Sequence, residues 1–175
     1  WPRHRAALWR TRRTALVLIR GLCLALASIT MLLALRVMPV AETVAIIYIT
    51  PVLVMLASGP VLGERVSRLG WVCAVLGFAG VLLIARPGSG LDPWGVVLAL
   101  MNATLATGYH VLTRVLTRTE TTMAMMFHTA LVGVVVFLSL TILLGTETRP
   151  TAIDAGLMLA LRALATVGHL LLTPA

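Results

Sequence analysis

Polar positions in this chain gather into short breaks between long apolar runs. Six runs stand out, covering Ala15 to Val37, Val40 to Leu62, Leu69 to Ala85, Pro93 to Leu116, Thr122 to Gly145 and Asp154 to Pro174. A helix needs about 20 apolar residues to cross a hydrocarbon core of about 30 Å, and every run is near that length. Backbone N–H and C=O groups in lipid find no water, so such spans close their own hydrogen bonds as α-helices. Each run is bounded by arginine, an acidic residue, glycine or proline, and the breaks are short. Successive helices must therefore be neighbours in an up-and-down bundle, and the fold class predicted is an all-α, polytopic membrane bundle. Pro51 falls in the middle of the second run, where it removes a hydrogen bond and clashes with the preceding turn, so that span should kink or break. In the third run Gly70, Cys73, Ala74, Gly77 and Gly80 share one helix face, a surface on which another helix can approach closely.

Composition agrees. Of 175 residues, 59% are hydrophobic and 11% charged, against about 25% charged in an ordinary soluble domain, which excludes that class. All 14 basic residues are arginine, and 6 acidic residues leave a formal charge of +8. Nucleic acid is excluded as a partner, because phosphate tracking needs a basic face on a folded soluble body. The arginines mark orientation instead, since cytoplasmic loops retain positive charge. Arg3, Arg5, Arg10, Arg12, Arg13, Arg65, Arg68, Arg114 and Arg118 occupy one set of breaks. The opposite set holds only Arg36, Arg86 and Arg149, each with an acid nearby (Glu42, Asp92, Glu147). The N-terminal segment is thus expected on the cytoplasmic side of a cytoplasmic (inner) membrane. Trp71 and Trp94 sit at the mouths of the third and fourth spans, where indole favours the headgroup region. The opening stretch is basic and runs straight into an apolar span, so no signal peptide is read there. A start at Trp1 and a last run ending without a polar exit are the expected marks of an internal piece of a longer protein. Cys23 and Cys73 both lie inside apolar runs, and no metal or disulfide spacing is present.

Pro39-Val-Ala-Glu-Thr-Val-Ala-Ile, then Pro51, Leu62-Gly63-Glu64-Arg65, Gly77-Phe-Ala-Gly80-Val81 and Arg86-Pro87-Gly88 follow one another in a familiar order. From about Arg20 to Gly88 the chain resembles the end of the first repeat in EamA-type carriers of the drug/metabolite transporter superfamily. From Trp94 onward, with Gly95, Tyr109 and Arg114, it resembles the start of the second repeat more distantly. The resemblance implies ten transmembrane helices in two five-helix repeats of opposite membrane orientation, of which helices three to eight are here. Residues 1–14 would then be a basic cytoplasmic loop, 15–88 the end of the first repeat and 93–175 the truncated start of the second. Arg20 in the first span and Arg162 in the sixth would be equivalent members of the inverted repeats.

Rare polar groups inside the spans are the candidate site. A charge deep in a bilayer costs about 2.5–3.5 kcal/mol even on a lenient scale, so it faces a cavity or a partner by default. Arg20 shares a stripe with Cys23, Ala27, Thr30 and Ala34, which fits a cavity wall, while snorkelling to the headgroups is its alternative. Arg162 is the second such arginine. Glu42 can meet a substrate amine or titrate as a proton site, or serve as a helix-start acid favoured by the macrodipole and paired with Arg36. Asn102, Tyr109 and Thr113 share a face of the fourth span with His110 at its margin, suited either to a small polar solute or to interhelical hydrogen bonds. His169 follows Arg162 by seven residues and shares its face; His128 has no polar companion on its stripe. The substrate-binding candidates are therefore Arg20, Glu42, Asn102, Tyr109, His110, Arg162 and His169. Glu64 and Arg65 are expected to fix a helix end and loop.

No ATP-coupling motif, glycine-rich phosphate loop, Gly-x-Ser-x-Gly or His-Glu-x-x-His occurs. The function expected is a secondary carrier of small organic metabolites or drugs working by alternating access, with no enzymatic activity, catalytic residues, cofactor or metal. An intramembrane enzyme and a non-transporting scaffold subunit are the alternatives. The expected partners are a small-molecule substrate and the lipid bilayer, with a homodimer as a further candidate.

Overall fold

The computed structural model describes residues 11–63, 67–85 and 91–145, together with Gly156 and Ala160. Every element in these residues is an α-helix. In chain order they are α1 (Thr14–Val37), α2 (Val40–Ile47), α3 (Thr50–Leu62), α4 (Arg68–Ala85), α5 (Pro93–Leu116) and α6 (Thr122–Leu144). The spans Thr14–Val37, Val40–Leu62, Pro93–Leu116 and Thr122–Leu144 are long and apolar enough to cross a membrane, and Arg68–Gly80 is a shorter apolar helix. The chain is a polytopic helical membrane protein. Of the sixth expected run only Gly156 and Ala160 are described; Arg162 and His169 lie outside the described residues, as do Glu64 and Arg65.

Local chemistry sets the helix ends. Asp92 caps α5 by accepting a hydrogen bond from the Gly95 N–H at 3.0 Å, and Pro93 occupies the first turn, where its missing N–H costs nothing. Gly63 ends α3 in the left-handed region at φ 69°, a conformation that a residue with a Cβ resists. The second span is discontinuous, as Pro51 predicts: α2 stops at Ile47, Tyr48 and Ile49 form a turn, and α3 restarts at Thr50. Pro51 cannot donate to the Ile47 carbonyl, so the Thr50 hydroxyl does so at 2.6 Å.

Two compact units divide the chain, residues 1–137 and 138–175. Within the first, α5 is the central helix. It packs along the length of α1 and also meets α2 and α3, while α4 sits against α2 and α3. The α1–α5 pair is antiparallel: Met38 lies against Gly95, Ala27 meets Asn102, and Val17 packs with Leu116. Small residues make this approach possible, since Ala25, Ala27 and Ala34 of α1 and Ala99 and Ala103 of α5 are buried. At the Pro39 end Ala34, Met38, Leu98 and Ala99 form one core; at the other end Val17, Leu116 and Met125 form a second. The opposite face of α1 leaves Leu18, Leu22, Leu26 and Leu33 exposed, as a lipid-facing surface requires. The small-residue face of α4 behaves differently from expectation: among the described residues nothing lies within 4 Å of a Cβ built on Gly77 or Gly80.

In the second unit, residues 138–144 complete α6.

Candidate functional site

Arg20 is the seventh residue after Arg13, which stands at the N-cap of α1, and only 5% of its surface is exposed. Its guanidinium is held by neutral oxygens from two other helices. Nε donates to Thr113 Oγ1 at 2.7 Å, Nη1 to Thr129 Oγ1 at 2.7 Å and to the Met125 carbonyl at 3.3 Å, and Nη2 to the Tyr109 hydroxyl at 3.0 Å. Cζ also stands 4.5 Å from the centroid of the Tyr109 ring, so one tyrosine gives both a hydrogen bond and a cation–π contact. Hydrogen bonds to a charged group contribute about 1.5–3 kcal/mol each, and a desolvated cation–π pair about 2. Together they explain how a full charge is tolerated between helices with no carboxylate partner among the described residues.

The threonines are oriented before the arginine arrives. Thr113 Oγ1 donates to the Tyr109 carbonyl at 2.6 Å and Thr129 Oγ1 to the Met125 carbonyl at 2.8 Å. With their hydrogens turned to their own helices, both hydroxyls present only lone pairs to the guanidinium. An arginine has five N–H donors. Four hydrogen bonds leave one Nη2 N–H without an acceptor among the described residues, and the Tyr109 O–H, which accepts from Nη2, likewise has none for its own proton. Two donors are thus left over at one place.

Glycine brings the third helix in. A Cβ on Gly21 would stand 3.1 Å from Val132 Cβ and 3.4 Å from Thr129 Cα, so only glycine beside Arg20 lets α6 come close enough for Thr129 to reach it. Below this junction the N–H of Arg13 donates to Glu120 Oε1 at 2.7 Å. That buried acid sits at the N-terminus of α1, where the helix dipole favours negative charge.

The remaining candidates are distributed. Asn102 is buried, and its Nδ2 donates to the Ala27 carbonyl at 2.6 Å, an interhelical bond tying α5 to α1. The Arg20, Cys23, Ala27, Thr30 and Ala34 stripe runs along the contact with α5, with Thr30 at the edge of a hollow between the two helices. Small side chains there serve close packing, with Cys23 Sγ 3.5 Å from a Cβ built on Gly108. Glu42 is half-buried in the first turn of α2 and has no hydrogen-bond or ion-pair partner among the described residues, while Arg36 is exposed. His128 is buried with Nδ1 against the Ala124 carbonyl at 2.8 Å. His110 is exposed, its ring edge-on to Tyr109 with centroids 5.3 Å apart.

His110 also lines a cleft of about 660 Å³. One wall comes from the interrupted span, with Ile47, Pro51, Val54 and Met55 along it and Tyr48 and Thr50 at the break; the other is Ala106, His110 and Arg114 of α5. A second hollow of about 480 Å³ between α1 and α5 offers only Thr30 and Thr104 as polar groups. Both hydroxyls donate to carbonyls of their own helices, so it presents an apolar surface. No group of three or more His, Cys, Asp or Glu side chains suited to a metal is brought together among the described residues. Sequence reasoning missed Thr129, Glu120, Tyr48 and the cleft. Glu120 carried a signal, as an acid in an otherwise basic break; the others depend on which helix faces which.

Residues 2–86 match the model of the EamA-like transporter family. The riboflavin transporter of Rhizobium johnstonii is 29% identical over 86 residues, which make up 49% of this chain and 28% of that protein. The match therefore spans less than a third of the relative's length. No solved structure matches the chain. The matched segment holds α1 to α4 and Arg20, whereas Tyr109, Thr113 and Thr129 lie beyond it. Over residues 2–86, this chain is similar to the EamA-like transporter family.

Proposed function

We propose that the intact protein is a secondary carrier of a small organic metabolite, working by alternating access in the cytoplasmic membrane with the N-terminal segment on the cytoplasmic side. One observation carries the reading: a guanidinium 5% exposed between membrane-spanning helices, bonded among the described residues to neutral oxygens alone and keeping one N–H without an acceptor among them. Such a group raises the potential of its surroundings, and with the Tyr109 O–H it offers two donors to an acceptor oxygen of an anionic or carbonyl-bearing solute. The family match and the name of the Rhizobium johnstonii relative support the carrier class and make riboflavin one solute to test.

In this reading Arg162 is the counterpart of Arg20 in an inverted repeat and His169 its neighbour, so that two guanidiniums approach one midplane site from the two halves. His110 and Asn102 border that site on α5, and Glu42 lies near the opposite end of the second span as a candidate proton or amine site. The four bonds of Arg20 also favour a second reading, a guanidinium that only holds helices together in a scaffold.

Reconstitution of the intact protein in liposomes separates the two. Uptake of labelled riboflavin, amino acids and small carboxylates is measured with and without a proton gradient, for the wild type, Arg20→Lys, Arg20→Ala and Tyr109→Phe. The carrier reading expects at least a tenfold loss of kcat/KM in Arg20→Ala, about 1.4 kcal/mol of transition-state stabilisation. It also expects a raised KM in Tyr109→Phe, which keeps the ring under the guanidinium. Folded variants that transport as well as wild type overturn the assignment, and a wild type that moves no tested solute favours the scaffold.

A further inference from the structure

Each of the three guanidinium nitrogens of Arg20 already donates to a protein oxygen: Nε to Thr113, Nη1 to Thr129 and the Met125 carbonyl, Nη2 to Tyr109. A carboxylate or phosphate is gripped best by two parallel N–H groups of one guanidinium, and here that pair is broken up. What remains is one Nη2 N–H and, beside it, the Tyr109 O–H, on donor atoms 3.0 Å apart. The positive charge itself is not answered. Glu120, the acid at this end of the bundle, accepts from the Arg13 N–H and makes no bond to Arg20.

We propose that these two donors hold a monatomic anion, chloride, as the counter-ion of Arg20. Neutral oxygens satisfy the hydrogen bonds of a buried cation but leave its charge uncompensated, and an anion in contact offsets the cost of taking that charge out of water. A sphere has no preferred face, so it can lie against both donor atoms at once, where a two-oxygen anion finds only one N–H of the guanidinium. The surroundings also favour a small ion: Gly21, next to Arg20, brings α6 into close contact with α1, and Thr113 and Thr129 close in on the other nitrogens. Tyr109 is half-buried, so the cluster is not sealed. The inference deepens the carrier reading and rests on it for one consequence: a solute oxygen reaches Arg20 by displacing the ion, so chloride competes with the solute.

The ion is read without solute, so the two readings can fail separately. The intact protein in nanodiscs of zwitterionic lipid is melted in sodium chloride, bromide, acetate or gluconate at fixed ionic strength. A ligand of the native state raises the melting temperature with concentration. The expected result is a saturable rise in chloride and in bromide, with acetate needing about tenfold more, the equivalent of about 1.4 kcal/mol, and gluconate inert. Broadening of the chloride NMR resonance, reversed by bromide, reads the same site without melting. Tyr109→Phe keeps the ring under the guanidinium and removes the O–H, and should raise the half-saturating chloride concentration several-fold; Arg20→Ala should abolish the effect, and where that variant does not fold Tyr109→Phe decides. Chloride no more stabilising than gluconate, with an unbroadened resonance, overturns the proposal. So does acetate as effective as chloride, or a chloride effect that Tyr109→Phe leaves unchanged. Halide binding in a protein that moves no solute supports the ion and removes the carrier; uptake in a protein with no halide effect does the opposite.

Discussion

Thr113 and Thr129 do two things at once. Each hydroxyl hydrogen is turned to its own helix, 2.6 Å from the Tyr109 carbonyl and 2.8 Å from the Met125 carbonyl, and each oxygen accepts from Arg20 at 2.7 Å. Valine has nearly the shape of threonine and neither function. Thr113→Val and Thr129→Val should each destabilise the intact protein by about 1–3 kcal/mol, the cost of leaving a buried donor unsatisfied. Thermal melting in detergent reads this, with the Thr→Ser variants close to wild type. Valine variants that melt like wild type would show that these hydroxyls do not hold the charge. Arg20 is legible in the sequence because a charge inside an apolar run stands out. Its partners are not, since they lie 93 and 109 residues away and a threonine in an apolar helix ordinarily bonds back to its own backbone, as both of these also do.

At the level of elements the informative feature is the interrupted second span. Pro51→Ala restores an N–H for the Ile47 carbonyl, which should let α2 and α3 join through Tyr48 and Ile49. Amide exchange across residues 48–53 should slow by about tenfold or more, roughly 1.4 kcal/mol, and the cleft beside α5 should narrow. Unchanged exchange would place the cause of the break elsewhere than in the proline. The helix limits follow closely from the apolar pattern, with Thr14–Val37 found for an expected Ala15–Val37 and Pro93–Leu116 found as expected, because polar groups cannot be left unpaired in lipid. Pairing between helices is less legible. The small-residue face of α4 is one on which a helix can approach closely, yet α6 comes close to α1 at Gly21, a single glycine that periodicity does not distinguish from any other.

For the whole molecule, the fold and the charge pattern address the same question. The bond from the Arg13 N–H to Glu120 joins the start of α1 to the α5–α6 turn, so two arginine-bearing breaks, one with Arg12 and Arg13 and the other with Arg114 and Arg118, lie at one end of the bundle. In the proposed orientation that end is cytoplasmic. With Cys23 and Cys73 replaced, an impermeant thiol reagent added to intact cells should label Val40→Cys and leave Thr117→Cys unlabelled until the membrane is opened; the reverse pattern would invert the topology. The hydrogen bonds of Arg20 also bear on movement. All of them run from α1 to α5 and α6, and none to α2, α3 or α4. Under the proposed alternating access, a seam at the expected boundary between repeats would have to tear this riveted joint on every cycle, whereas a hinge at Met38–Pro39 would leave it whole. On that proposal α1 travels with α5 and α6, and the moving part begins at α2.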